Sequence, residues 1–189
     1  MVSAHGDNGA RPDFAEGALR TKNRLKTEGD RQNPDAVRRL LESVPDPEIP
    51  VLSVVDLGIV RAIRFDGERL IVAVTPTYSG CPATAVIALS IEAALREAGY
   101  DDVTIETQIA PAWTTDWISA EGRQKLQAYG IAPPAEGARC AAELASPILE
   151  CPHCGSLATE QVSRYGSTPC KAHWRCRDCL EPFDYFKRH

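Results

Sequence analysis

Residues 69–98, RLIVAVTPTYSGCPATAVIALSIEAALREA, join a run typical of a buried strand to a run typical of a helix. The first part is rich in β-branched residues and ends at a proline, as expected for a strand. The second part carries apolar residues at helical spacing up to Ala98, and Gly99 is expected to end the helix. The stripe that this helix is predicted to bury consists of Val86, Ile87, Leu89, Ile91, Ala94 and Leu95. One cysteine, Cys81, stands where the strand gives way to the helix.

The sequence on both sides of this unit predicts a small α+β domain. Upstream, residues 33–45 predict a helix with an asparagine cap and a proline stop, and a hairpin follows with the Asp-Gly pair at 66–67 at its tip. Downstream, residues 103–109 alternate like a strand, and a last helix is expected to end at Gly130. The predicted order is therefore α-β-β-α-β-α over residues 34–132, with helices packed on a sheet.

Composition and charge exclude several classes of function. The chain has 189 residues, 25% of them charged, and a net charge of −5. That charge and the lack of a basic block give no case for nucleic acid. No apolar run approaches the roughly 20 residues of a membrane span, and the first residues lack the apolar core of a secretory signal. The sequence therefore predicts a cytoplasmic protein that binds neither nucleic acid nor membrane.

Composition also divides the chain into four parts. Residues 1–33 are polar, without sustained periodicity, and predict a flexible leader before the α+β domain. Residues 133–147 are rich in proline, alanine and glycine, and predict a linker. Residues 148–189 hold five of the seven cysteines together with several aromatic residues. This change in composition indicates a second, smaller domain.

Two C-x-x-C pairs, CPHCG and CRDCL, predict a metal site in this second domain. Each pair on a tight turn directs two sulfurs to one side, and two such turns facing each other form a tetrahedral pocket. The predicted ligands are Cys151, Cys154, Cys176 and Cys179. Because about 40 residues bury too little apolar surface to fold alone, we expect structural zinc in a zinc-ribbon-like β domain. Four thiolates also bind iron, the rival metal, and His153, Cys170 and His173 are rival ligands.

Cys81 has two interpretations. At a helix start, free backbone N–H groups and the positive helix end favour a thiolate, which is a nucleophile and a metal ligand. A lone cysteine is equally well explained as a small buried hydrophobe. The candidate neighbours of this thiol are Asp46, Glu48, Asp56 and Thr77. For Asp46 and Glu48 the alternative is that they are solvated loop charges, and for Asp56 it is that it caps a turn before Gly58.

These motifs together resemble a known family. The stretch DPEIPVLSVVDLGIV (46–60), with VTPTYSGCPAT (74–84), is similar to the iron–sulfur-assembly-associated domain. The stretch PAWTTDWISAEGRQKLQAYGIAPP (111–134) and the four-cysteine tail resemble one branch of that family, the PaaD (PaaJ) branch. Members of this branch are accessory subunits encoded with the bacterial phenylacetyl-CoA 1,2-epoxidase. The resemblance spans about residues 34–189.

The resemblance implies an accessory role in phenylacetate degradation, without catalysis by this chain itself. Relatives help to deliver or insert iron–sulfur clusters, so Cys81 is implied as the functional thiol, holding iron or a cluster transiently. The implied partners are the subunits of the epoxidase complex, including its ferredoxin-type reductase, the iron–sulfur assembly machinery, and a second copy of the chain. Two alternatives stay open: an integral subunit of the epoxidase, and a non-catalytic zinc-ribbon adaptor.

Overall fold

The computed structural model describes residues 32–78, 80, 83–134 and 148–188. The predicted α-β-β-α-β-α order is confirmed: α1 is Pro34–Leu41, β1 Val60–Asp66, β2 Arg69–Val74, α2 Thr84–Glu97, β3 Val103–Thr107 and α3 Ala120–Ala128. The remaining strands are β4, Ile131–Ala132; β5, Thr159–Ser163; β6, Lys171–Cys176; and β7, Pro182–Phe186. In these ranges no helix combines the length and the apolar character that a membrane crossing needs. Most of the predicted leader and linker falls outside them.

The first sheet has the strand order β1-β2-β3, with β2 at its centre. Strands β1 and β2 form the expected antiparallel hairpin, and Gly67 in its turn has a φ of +61°. Strands β2 and β3 are parallel. Parallel neighbours need a crossover connection, and α2 provides it. The central strand is buried from Leu70 to Val74, which explains its continuous apolar sequence.

Helix α2 buries a narrower stripe than predicted. Ile87, Ile91 and Leu95 are buried, four residues apart along one face. Val86 and Leu89 were predicted to be buried, but they are 49% and 66% exposed. Helix α2 contacts α1 and β3, and these contacts leave Val86 and Leu89 open to solvent. The apolar stripe of α2 is therefore wider than the surface that its neighbours bury, and the apolar residues at its edge stay exposed.

Two elements end before the predicted residue. Helix α1 ends at Leu41 because the chain tightens into a turn, in which the N–H of Val44 donates to the carbonyl of Leu41 at 3.1 Å. Strand β3 ends at Thr107, and Ile109 beyond it is 76% exposed. The last residue of β2, Val74, pairs with Thr107, so no partner strand remains for Ile109.

The second sheet has the strand order β4-β7-β6-β5 and forms the C-terminal ribbon. Its edge strand β4 follows α3 directly and pairs in parallel with β7. Two ribbon residues, Cys170 and Phe186, belong to the core of the α+β domain. The ring centroids of Phe186 and Trp113 are 6.1 Å apart. The ribbon also has a small core of its own, which includes Trp174 and Phe183.

Two leucines of α2 give a matched test of this packing. We expect Leu95→Ala to lower the free energy of unfolding by about 2–5 kcal/mol, because Leu95 is fully buried and its removal leaves a cavity. We expect Leu89→Ala, on the exposed side of the same helix, to change it by no more than about 0.5 kcal/mol. Urea denaturation of the two variants measures both values, and equal losses would contradict the observed orientation of α2.

Candidate metal centre and acidic turn

Four cysteine sulfurs converge at one end of the ribbon. All lie within 4.8 Å of one another: Cys151, Cys154, Cys176 and Cys179. The Sγ atoms of Cys151 and Cys179 are 3.7 Å apart, and those of Cys154 and Cys176 are 3.6 Å apart. A tetrahedral zinc ion with Zn–S bonds of about 2.3 Å separates its sulfurs by about 3.8 Å. The spacing and the donor set therefore fit a closed four-thiolate metal site.

Tight turns after each C-x-x-C pair bring the sulfurs together. Gly155 follows the first pair with a φ of +76°, and its N–H donates to the carbonyl of Cys151 at 2.9 Å. Leu180 follows the second pair with a φ of +65°. Few residues other than glycine adopt this left-handed conformation, and bulky side chains adopt it rarely. Leu180 is therefore held in this conformation by the turn around it.

Backbone N–H groups prepare Cys176 for metal binding. The N–H groups of Cys179 and Asp178 donate to Cys176 Sγ at 3.5 and 3.4 Å. These contacts lower the pKa of the Cys176 thiol to about 6. Since metals bind the thiolate, this side chain is in the form that a metal needs at neutral pH.

The rival ligands lie apart from this group. Across the described ranges, the four cysteines are the only cluster of three or more side chains with metal-binding spacing. Cys170 is buried in the core of the other domain. His173 faces Asp184, with 3.5 Å between Nδ1 and Oδ1. His153 lies within the first C-x-x-C pair, near Gly130.

The DPEIP segment forms a turn that Asp46 holds closed. Its Oδ1 atom accepts hydrogen bonds from the N–H groups of Glu48 at 2.9 Å and Ile49 at 2.8 Å. Asp46 is 6% exposed, so it is not a solvated loop charge. Burial raises its pKa, while these two hydrogen bonds and the charge of Lys171 act in the opposite direction. We call residues 45–49 the acidic turn.

Glu48 in the acidic turn contacts the ribbon. Its Oε2 atom accepts from the Sγ of Cys170 at 3.8 Å. Cys170 also contacts the Oγ1 of Thr168 at 3.0 Å. Burial raises the pKa of the Cys170 thiol to about 11. Cys170 is therefore a neutral, packed thiol at physiological pH, which suits a structural role.

Asp56 lies at the centre of a different hydrogen-bond network. Its Oδ2 atom accepts from the N–H and hydroxyl of Ser53 at 2.9 and 2.8 Å, and from Nζ of Lys125 at 2.9 Å. Its Oδ1 atom accepts from the hydroxyl of Ser119 at 3.2 Å. Burial opposes ionisation, but the hydrogen bonds from Ser53 and Lys125 prevail and lower its pKa. This carboxylate joins the turn before Gly58 to helix α3.

Comparisons with known proteins agree with both parts of the chain. The family model described as an iron–sulfur cluster assembly protein matches residues 34–107, and the PaaD zinc beta ribbon domain matches residues 136–187. A relative from Escherichia coli K12, named as a putative 1,2-phenylacetyl-CoA epoxidase subunit, is 50% identical over 148 residues. That match covers 78% of this chain and 88% of the relative. The chain belongs to the PaaD family.

Two more distant similarities concern smaller proteins. An Fe-S protein maturation auxiliary factor from Porphyromonas gingivalis is 31% identical over 97 residues, which cover 50% of this chain and 91% of that relative. A solved structure of a conserved hypothetical protein from Thermotoga maritima is 31% identical, covers 56% of this chain and 97% of its own, and has a TM-score of 0.42. The similarity to the maturation factor therefore extends over only half of this PaaD family member.

The cysteine between strand and helix, Cys81, lies outside the described residues, as does Ser79. Helix α2 begins at Thr84 with Ala83 at its N-cap, so the first helical residue comes three positions after Cys81, and the N-cap is not the cysteine expected at the helix start. Thr77 is half-buried at the strand end. The Thr75 hydroxyl beside it is buried and finds no hydrogen-bond partner in the parts of the chain that are described.

Sequence reasoning missed the partners that orient these acidic residues. Lys125 lies 69 residues from Asp56, and its most evident sequence partner is Glu121 on the same helix, which it also contacts at 2.9 Å. Lys171 looked like one of several tail charges, but it is 6% exposed. No local pattern predicts such distant pairs.

Asp56 gives the fold a predictable pH dependence. The pKa of Asp56 is lower in the folded chain than the ordinary value of 3.8. Its contribution to the free energy of unfolding is therefore present above pH 3.8 and is lost as the pH falls through the folded pKa. We expect Asp56→Asn to cost about 1–3 kcal/mol at neutral pH by weakening buried hydrogen bonds. The variant should also lose less stability on acidification than the parent. Denaturation at several pH values checks this, with the exposed Asp101→Asn as control, and parallel pH curves for the Asp56 variant and the parent would contradict it.

Proposed function

We propose that this chain is an accessory protein of bacterial phenylacetate degradation, assisting maturation of the phenylacetyl-CoA epoxidase complex by insertion of iron or an iron–sulfur cluster. The observation that carries the proposal is the union, in one chain, of an iron–sulfur-assembly domain and a PaaD ribbon. The half-identical relative is named as an epoxidase subunit, and the shorter one as a maturation factor. The partners proposed are therefore the epoxidase subunits and the machinery that supplies clusters.

In this proposal Cys81 is the thiol that contacts the iron cargo. Clusters usually take four protein thiolates, so one thiol needs further ligands from the client or from a second copy of the chain. Asp46, Glu48, Asp56 and Thr77 are proposed to surround it. The hydrogen bonds of Asp46 and Asp56 indicate that these two support the loops, whereas Glu48 is more exposed and better able to meet a partner.

The ribbon is proposed to hold structural zinc. A closed set of four thiolates leaves no open coordination position, so the ion stabilises the ribbon and does not act on a substrate. Cys176 is ready as a thiolate, and the four sulfurs already have tetrahedral spacing. The small ribbon core makes such an ion necessary for a stable fold.

Metal analysis of the purified protein tests the zinc proposal. We expect about one zinc ion per chain, as a four-thiolate site requires. Cys154→Ser should lose this zinc because it removes an exposed ligand, and His153→Gln should retain it because that neighbour lies outside the sulfur cluster. A red protein that contains iron in place of zinc would contradict the proposal.

Replacing Cys81 by serine tests the maturation role. In cells that use phenylacetate, we expect the iron content and the activity of the epoxidase to fall by about tenfold or more. Removing a group that only supports a metal ligand already causes a loss of about tenfold. Ribbon zinc should not change. Cys140→Ser, outside both motifs, is the control. Normal iron and activity in the Cys81 variant would contradict the proposal.

The relative's description as a subunit favours one alternative, a permanent member of the epoxidase complex. A depletion experiment distinguishes a permanent subunit from a maturation factor. Epoxidase that is matured first and then stripped of this chain should keep its activity if the chain assists maturation. Loss of activity on removal, regained on adding the chain back, would establish the subunit alternative.

A further inference from the structure

The ribbon and the acidic turn meet at a buried contact to which each domain contributes one residue. Cys170 is 4% exposed, belongs to the core of the α+β domain, and donates to Glu48 at 3.8 Å. The two residues are 122 positions apart in the sequence. A neutral thiol in an apolar core packs like a small hydrophobe, so this side chain fixes where the ribbon sits.

The next residue of the ribbon, Lys171, places a buried positive charge beside the same turn. It is 6% exposed, and its Nζ lies 3.5 Å from Oδ2 of Asp184 on β7. Its charge also stabilises the ionised form of Asp46. A buried lysine is costly unless it is paired, and the carboxylate of Asp184 provides that partner.

Strand β6 connects this contact to the metal site. It begins at Lys171 and ends at Cys176, one of the four clustered cysteines. It pairs along its length with β7, and the N–H of Lys187 donates to the carbonyl of Cys170 at 2.8 Å. Phe186 of β7 packs against Trp113 in the α+β domain. One short paired strand therefore has the metal site at one end and the acidic turn at the other.

We propose that the ribbon holds the acidic turn in place, with Cys170 and Lys171 as positioning residues, and that this hold depends on the metal at the four-thiolate site. Without the metal, the ribbon's own core is too small to keep β6 ordered, and Cys170 leaves its buried position. The acidic turn then loses its contact with the ribbon. The larger core of the α+β domain remains, because most of its residues come from residues 37–131.

Alkylation of Cys170 in the full chain tests this dependence. Trypsin releases Cys170 in the peptide YGSTPCK, residues 165–171, so mass spectrometry follows this thiol separately from the others. With metal bound, iodoacetamide should react slowly, because the thiol is buried and protonated. Chelation of the metal, or Cys154→Ser, should raise the rate by about tenfold or more. His153→Gln should leave the slow rate unchanged.

Hydrogen exchange on the same samples makes the result decisive. Amides of Ile87, Ile91 and Leu95 in α2 should stay protected when the metal is removed. If Cys170 stays slow to react without metal, or if α2 loses protection together with Cys170, the proposal is overturned. Neither readout involves a client, a cluster or Cys81, so the outcome is independent of the proposed function.

A substitution of Lys171 tests the turn directly. In metal-bound Lys171→Met, we expect faster exchange at the amides of Glu48 and Ile49, which donate to Asp46, with unchanged metal content. Lys187→Met is the matched control, because its Nζ contacts the carbonyl of Arg164 and not the acidic turn. Unchanged hydrogen exchange at the amides of Glu48 and Ile49 in the Lys171 variant would overturn the role of Lys171 as a positioning residue.

Discussion

The convergence of four cysteine sulfurs is the constraint on which the ribbon depends. Sulfurs held within 4.8 Å of one another become mutually repelling as they ionise, and a bound cation removes that repulsion. The short connections after Cys154 and Cys179 adopt left-handed conformations to bring them together, even where the residue is Leu180. The ribbon's few apolar residues cannot supply this stabilisation alone. We therefore propose that the sheet, and the acidic turn that it contacts, depend on a metal bound at this site.

Buried carboxylates organise the α+β domain in an equally specific way. Asp46 closes the acidic turn through two backbone N–H groups, and Asp56 joins a neighbouring turn to α3 through Ser53, Ser119 and Lys125. Each side chain fixes the loop in which it lies. Under the proposed function, in which Cys81 meets a partner, rigid loops reduce the entropy lost on binding. The hydrogen bonds of Asp46 and Asp56 therefore give both carboxylates a structural role in the α+β domain.

Much of the fold was predictable because its signals are local. The asparagine cap of α1 is confirmed by the 2.9 Å bond from the N–H of Asp35, and the hairpin turns at Gly67 as the Asp-Gly pair indicates. Predictions failed where coverage by neighbours decided the outcome. Val86 and Leu89 have the right periodicity for burial, but the contacts of α2 with α1 and β3 leave both exposed. Ile109 continues the alternation of β3 after its partner strand has ended.

The sequence by itself determined the helices and strands, the two C-x-x-C turns and the family resemblance, because each depends on residues close together in the chain. Only the tertiary structure decided that Cys170 belongs to the core of the other domain, that Asp46 is buried, and that Lys125 reaches Asp56. These facts depend on which surfaces meet after folding. Contacts across 69 or 122 residues leave no periodic trace in a single sequence, since each partner alone looks like an ordinary polar residue or a spare thiol.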